Sequence, residues 1–275
     1  MTDNAIAIYC FLDDYLKAIN HQEDKQRMMN DAEIMTTALL AALYFGGNHE
    51  RALCFVRAHV FSRVLKKSRF SRRVHAMGEL MHSVFLSVGE TIKQFNTRME
   101  YVMDSFPVSV CHNIRIFGNR ILPRDEQYRG KCVSKSQFFY GFRVQVIATL
   151  DGIPVEFAIV PGSWHDSKGM HALAMHLPEG SRNISDSAYT NYEFEDLLKE
   201  AENIWHDTER KCNSKRTEPP YRTYYKSKTR KLIESLFAQI TSMIPRKIHA
   251  TTIKGFLLKL KLFIWSFTFK KLCSQ

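Results

Sequence analysis

The stretch FFYGFRVQVIATLDGIPVEFAIV, Phe138 to Val160, changes the period of the chain from helix to strand. In its middle Phe142, Val144 and Val146 alternate with Arg143 and Gln145, the two-residue repeat of a half-buried strand. Asp151-Gly152 interrupts the run and IPVEFAIV resumes it. Asp-Gly between β-rich runs predicts a hairpin, because this pair tolerates the positive φ of a type I′ turn.

Working outward, TRMEYVMD is a short apolar-rich strand that closes on Asp104. On the other side, PGSWHDSKGMHALAMHL reads as a loop entering a short helix, and SRNISDSAY holds a brief strand ending at Asp186. NYEFEDLLKEA opens on an Asn cap and is helical. Residues 203–225 are polar and basic, and KTRKLIESLFAQI (Lys228 to Ile240) returns to helix. The order strand, hairpin, helix, strand, helix predicts an α/β domain over 97–275, C-terminal helices included.

Residues 1–96 read as a separate all-α domain. DAEIMTTALLAALYF (Asp31 to Phe45) has an acidic first turn and stops at Gly-Gly-Asn, HERALCFVRAHVF resumes the helical period, and SRRVHAMGELMHSVFLSVGETIKQF predicts a third long helix. Two helices joined by a tight Gly turn are helix-turn-helix-like, although any small bundle has such turns. Ser62 to Arg73 carries six basic residues and no acid, among them Lys66, Lys67, Arg72 and Arg73. This is either a solvated helix end or a DNA phosphate-contacting surface.

Three acids stand out by position: Asp104 and Asp186 at strand ends, Glu234 inside a helix. Side chains at strand ends turn outward where ligands gather. Two Asp and one Glu converging there suit Mg²⁺, which takes few carboxylates and keeps waters for phosphate oxygens. A pair of such ions would serve in-line phosphoryl displacement. Between Arg210 and Lys231 stand nine Lys or Arg and one acid, Glu218, with Tyr221, Tyr224 and Tyr225 interleaved. A basic run with aromatics leading into a candidate catalytic helix reads as a nucleic-acid track. Its candidate contacts are Lys211, Lys215, Arg216, Arg222, Lys226, Lys228, Arg230 and Lys231. Arg230 and Glu234 are one helical turn apart, either an ordinary ion pair or a phosphate clamp beside the metal site.

The 275 residues, 45% hydrophobic and 24% charged with net charge +11, exclude a disordered chain and favour a polyanionic partner. Six cysteines at 10, 54, 111, 132, 212 and 273 include no CxxC pair, so incidental thiols in a reducing compartment are expected. The N-terminus lacks a signal peptide, and Gly255 to Phe269 carries Lys259 and Lys261 inside its apolar run, arguing against a membrane span. A cytoplasmic location follows.

Taken together, MDSFPVSVCHNIRI, YRGKCVSKSQFFYGFRVQVIATLDGIPVEFAIVPGSWHD, SDSAYTNYEFEDLLKE, CNSKRTEPP, RKLIESLFAQI and IPRKIHATTIKGF resemble, in order, bacterial DDE-type insertion-sequence transposases of the insertion sequence 982 group. The resemblance runs from Asp31 nearly to the C-terminus. It implies an RNase H-like core, a mixed five-stranded sheet flanked by helices, with the acidic triad at Asp104, Asp186 and Glu234. It also implies two Mg²⁺ ions, with Mn²⁺ as a substitute, DNA cleavage at element ends, and 3′-hydroxyl strand transfer into target DNA. A homodimer that pairs two ends, near the nucleoid, is the implied assembly. The Arg-x-x-x-Glu spacing is present at Arg230 and Glu234, whereas Ser227 stands where some related groups have Tyr and Ser187 where Lys is expected.

Other readings are weaker. Cys111 and His112 are adjacent, and neighbours on an extended chain face opposite ways, so they form no catalytic dyad. His171 and His176 are five apart, off the spacing of a helical metal pair. His165-Asp166 is either a loop cap or a helper to the acids, and Trp164 and Trp205 are core residues or base-stacking platforms. A copy that binds element ends without cutting, and a Mg²⁺-dependent nuclease without strand transfer, remain alternative functions.

Overall fold

A computed structural model describes residues 1–24, 26–132, 137–211 and 213–273. By its contacts the chain forms two units, one of residues 1–87 with 242–275 and the other of 88–241. The expected division at residue 96 therefore shifts slightly, and the C-terminal helix joins the first unit rather than the second.

The first unit is all-α. It holds α1 (Thr2–Ala18), α2 (Asp31–Phe45), α3 (His49–His59), α4 (Lys67–Ala76), the start of α5 (Gly78–Phe95) and α9 (Ile253–Leu272). Asn30 caps α2 in a reciprocal box with Glu33, and Gly46 ends it at φ 57°, a left-handed position suited to glycine. Apolar on nearly every side, α2 is buried among α1, α3, α4 and α9. The α9 hydroxyl of Ser266 donates to the Leu39 carbonyl at 3.1 Å. The apolar run at 255–269 is thus a core helix, and no helix among the described residues is long and apolar enough to cross a membrane. The expected third long helix is broken at Met77, just before Gly78, giving α4 and α5.

The second unit is a mixed six-stranded sheet with helices: β1 (Glu100–Cys111), β2 (Arg129–Cys132), β3 (Gln137–Thr149), β4 (Pro154–Pro161), α6 (Asp166–Met170), β5 (Arg182–Ser185), α7 (Tyr192–Glu202), β6 (Trp205–Thr208) and α8 (Pro220–Met243). The order is β2-β3-β1-β5-β6, with β4 also on β3. Six strands replace the expected five, and the short β2 and β6 lie where no strand was expected. The hairpin forms, but not through a type I′ turn: only Gly152 has positive φ, at 83°, and the Thr149 carbonyl accepts from Gly152 in a wider turn. As read, Asn191 caps α7. Pro220, in the first turn of α8, sits where a missing N–H costs nothing.

One sheet face packs Tyr101, Met103, Ile147, Val155, Met170, Tyr189 and Leu198 into a core. Lys93 on α5 reaches this layer, where its ammonium meets Glu156 of β4 at 2.6 Å and the His176 carbonyl at 2.7 Å. Both side chains are nearly sealed, at 2% and 6% exposure. Glu156→Ala leaves the Lys93 charge buried and is expected to lower unfolding free energy by about 3–5 kcal/mol. Glu90→Ala, which removes an exposed partner of the same lysine, should cost under ~1 kcal/mol. Urea unfolding of the two variants checks the contrast.

Candidate active site

Three parallel strands set the site. β1 pairs with β5 from Glu100↔Arg182 to Met103↔Ser185, and β5 pairs with β6 up to Ser185↔Thr208. The next residue on each strand is an acid: Asp104, Asp186 and Glu209. Carboxyl ends of parallel strands are open to ligands because the chain there turns away. Asp104 does not end its strand, contrary to the sequence reading. β1 continues to Cys111 on antiparallel pairing with β3 alone, so what stops at Asp104 is its parallel neighbour. Asp186 leaves β5 at once and caps the short turn Ser187–Tyr189.

Helix α8 closes the site from the other side. Ile233, Leu236, Phe237 and Ile240 are its buried stripe, and Phe237 meets Phe106 of β1 edge-on at 5.8 Å. Asp104 and Phe106 share a strand face, so this contact brings α8 over Asp104. A cleft of about 50 Å³ results, lined by Asp104, Asp186, Glu209, Lys226, Arg230 and Glu234 over Met103, Ile184, Ser185 and Ile233. All three acids singled out in the sequence line it. Glu209 is an additional acid that sequence reasoning missed, because it lies within a segment read as polar and basic.

Arg230 is the counterion. Its guanidinium lies 3.1 Å from Glu209, 3.3 Å from Glu234 and 3.8 Å from Asp186. Asp186 above all raises the Arg230 pKa beyond its ordinary value, and Glu209 and Glu234 add to the effect. Asp104 is the least compensated. Burial pushes its carboxyl up to about 7, with Asp166 and Asp186 adding repulsion, against the Ser105 N–H and Arg230. One carboxylate oxygen accepts that N–H at 2.7 Å. Hard oxygen donors crowded at like charge suit a divalent cation. Among the described residues, however, no group of three or more His, Cys, Asp or Glu side chains is gathered tightly enough to hold one. The acids share a cleft without forming a closed coordination shell.

The predicted basic contacts divide. Lys211, Lys215, Lys228 and Lys231 are exposed, Arg222 is half-buried, and none forms an ion pair among the described residues. Lys226 is buried, donating to the Thr208 carbonyl at 2.9 Å and to Glu218. Arg216 bridges Glu195 and Asp196 and lies over Tyr192, so both of these cations face inward partners rather than an open track. In the helical unit Lys66, Lys67 and Arg72 are exposed, whereas Arg73 is held by the buried Asp31 with Arg27 and His21. Trp205 is 41% exposed, not a core residue, with the Lys199 ammonium 3.6 Å from its ring centre. None of the five described cysteines is buried, and Cys212 lies outside the described residues.

A mixed sheet with carboxylates where its parallel pairing stops, under a helix bearing Arg and Glu, defines an α/β core of the RNase H-like kind. Residues 94–251, more than half the chain, match the family described as Transposase DDE domain, and the chain belongs to that family. The match spans β1, β5 and α8, and with them all four acids of the cleft. No curated protein and no solved structure matches the chain. DDE transposase domains use divalent metal ions, and a transposase has DNA as its partner.

The Asp104 shift has a signed consequence. Its folded pKa of about 7 exceeds its ordinary 3.8, so the native state holds this proton longer than the unfolded chain does. Native stability from this group is full below pH 3.8 and is lost as pH rises through 7. Without metal, Asp104→Asn should therefore raise Tm relative to wild type at pH 8 by more than at pH 5. Thermal melts in chelator at both values check this, and an equal gap would mean the carboxyl ionises freely.

Proposed function

We propose that the chain is a transposase of the insertion sequence 982 group, cutting DNA at element ends and joining the freed 3′-hydroxyl to target DNA. Asp104, Asp186 and Glu234 are its catalytic acids. The observation that carries this reading is their convergence, with Arg230, on one cleft at the ends of parallel strands.

The donor set is chemically suited to a hard cation, and the three carboxylates, drawn closer together than they stand here, would hold two Mg²⁺ ions, or Mn²⁺ in their place. Such a pair supplies activation of the attacking oxygen and charge stabilisation at the leaving one. Asp104, on the inner strand of the sheet, gives a fixed anionic wall. Asp186 and Glu234 approach from a turn and a helix, elements that adjust more easily. Arg230, already spanning three carboxylates, turns its guanidinium to a phosphate oxygen, and Glu209 keeps that side chain within reach. Burial around Asp104 excludes water from one side of the reacting phosphate.

DNA is held by the outward cations Lys211, Lys215, Arg222, Lys228 and Lys231, and the helical unit adds Lys66, Lys67 and Arg72. Joining two element ends to one target requires two copies of the site, so the working form is a homodimer on DNA.

Asp104→Asn, Asp186→Asn and Glu234→Gln should each reduce end cleavage more than about a hundredfold, beyond the loss of an outer partner. Binding to the same end should stay within a few-fold in a gel-shift titration. Glu209→Gln should still cleave, and cleavage that survives Glu234→Gln but not Glu209→Gln would transfer the third role to Glu209.

Replacing the five outward cations of 211–231 by Gln should flatten the dependence of log K on log salt by about 0.9 for each phosphate contact removed. Lys226→Gln should leave that slope unchanged. Fluorescence anisotropy across a salt series distinguishes the two outcomes.

A further inference from the structure

Behind the cleft, on the opposite face of the sheet, lies a hydrogen-bonded cluster that the acids themselves do not explain. The register Ser105↔Gln145 and Pro107↔Arg143 puts Ser105, Gln145 and Arg143 on one face, while Asp104 faces the other. Asp166, at the start of α6, receives the Ser105 hydroxyl at 2.6 Å and the Arg143 guanidinium at 3.1 Å. The Gln145 amide nitrogen stands 3.5 Å from the same oxygen, and its carbonyl accepts the Tyr189 hydroxyl at 2.6 Å. Gln145 and Tyr189 are both fully buried. Gly169 packs so close to the Gln145 amide that any Cβ there would collide with it.

Each end of this chain of bonds is tied to one of the two Asp residues. Ser105 is the residue whose backbone N–H holds the Asp104 carboxylate. Tyr189 closes the turn that Asp186 caps, its N–H bonded to the Asp186 carbonyl at 3.0 Å. The parallel pairing of β1 with β5 stops one residue short of both acids. Beyond that point no ladder bond fixes their spacing, and the cluster spans the gap.

We propose that Asp166, Gln145 and Tyr189 form a positioning bridge that sets the distance between the Asp104 and Asp186 carboxylates, and through it their affinity for divalent cations. It rests on the assignment of those acids as metal-holding groups. None of the three touches the reacting atoms. Asp166 acts through Ser105, and Tyr189 acts through its turn. Hydrogen-bonded networks of this kind, with Gln145 and Tyr189 buried at their centre, hold a site to one geometry, whereas a ligand pair spaced by loops alone is loose.

The test is calorimetric titration of the full-length protein with Mn²⁺, beside gel-shift binding of element-end DNA. Tyr189→Phe removes only the hydroxyl, Asp166→Ala removes the acceptor, and Asp166→Asn restores an acceptor oxygen without charge. Tyr189→Phe and Asp166→Ala should each weaken Mn²⁺ binding by about tenfold or more with DNA binding unchanged. Asp166→Asn should recover most of the affinity. Wild-type Mn²⁺ affinity in both Tyr189→Phe and Asp166→Ala, where Asp104→Asn has lost it, overturns the bridge and leaves the acids in place. Loss in Asp166→Asn as deep as in Asp104→Asn makes Asp166 a ligand and also overturns it. No Mn²⁺ binding by the wild type overturns the metal assignment itself, and the bridge with it. Tyr189→Phe is the variant least able to disturb folding, so its result stands even if Asp166→Ala melts early.

Discussion

The parallel register of β1, β5 and β6 is the constraint on which the site depends. The parallel pairing of the three strands stops in step at Met103, Ser185 and Thr208, so the residues that follow fall side by side across the sheet. A shift of one residue in β5 would turn Asp186 to the other face, since side chains alternate along a strand. The register is secured by apolar packing below it, where Tyr101, Met103 and Tyr189 lie in one core. Hydrophobic burial thus fixes where the carboxylates stand, although they contribute nothing to that core themselves.

Electrostatics works against this placement. Four acids of one cleft share Arg230 as their principal cation, and Asp104, the most deeply placed, tends to keep its proton. A site that repels itself when empty costs stability, and the rest of the unit must offset the cost. Much of that support is apolar, as in the docking of Phe237 on Phe106. A nearly sealed pair, Lys93 with Glu156, ties α5 to β4. A buried pair of this sort adds less to stability than to uniqueness of arrangement, because desolvation consumes most of its Coulomb gain.

Long periodic elements were legible in the sequence, and short ones were not. The capped helix at 31–45 and the Asn191 cap of α7 were readable because their signals are local. β2 and β6 are four residues each, too short for alternation to register, and Trp-His-Asp-Thr in β6 is mostly polar. The continuation of β1 past Asp104 was obscured by Pro107, which falls where one edge of the strand has lost its partner. Asp104, Asp186 and Glu234 could be named because family-like blocks surround them. Glu209 could not, and Asp166 was readable only as a loop cap or a helper to the acids, since their partners lie 20 or more residues away and only folding brings them near. The same holds for the cations: Arg216 and Lys226 look free in a basic run until Glu195 and Glu218 are seen beside them.

That division of cations changes what the basic run means. Nine cations in 22 residues overstate the unpaired positive charge of this run, because Arg210, Arg216, Lys226 and Arg230 are already paired within the protein. Those that remain are distributed along α8 and the segment before it. Helical period then gives α8 three roles at once. Thr229, Ile233, Leu236 and Phe237 face the sheet, Lys228 and Lys231 face solvent, and Arg230 with Glu234 occupies the border between. The outward cations Lys228 and Lys231 thereby stand within one helical turn of Arg230 and Glu234. Any tilt of α8 that moved these cations would also move Glu234 relative to Asp104, so the two sets of side chains cannot be placed independently in this fold.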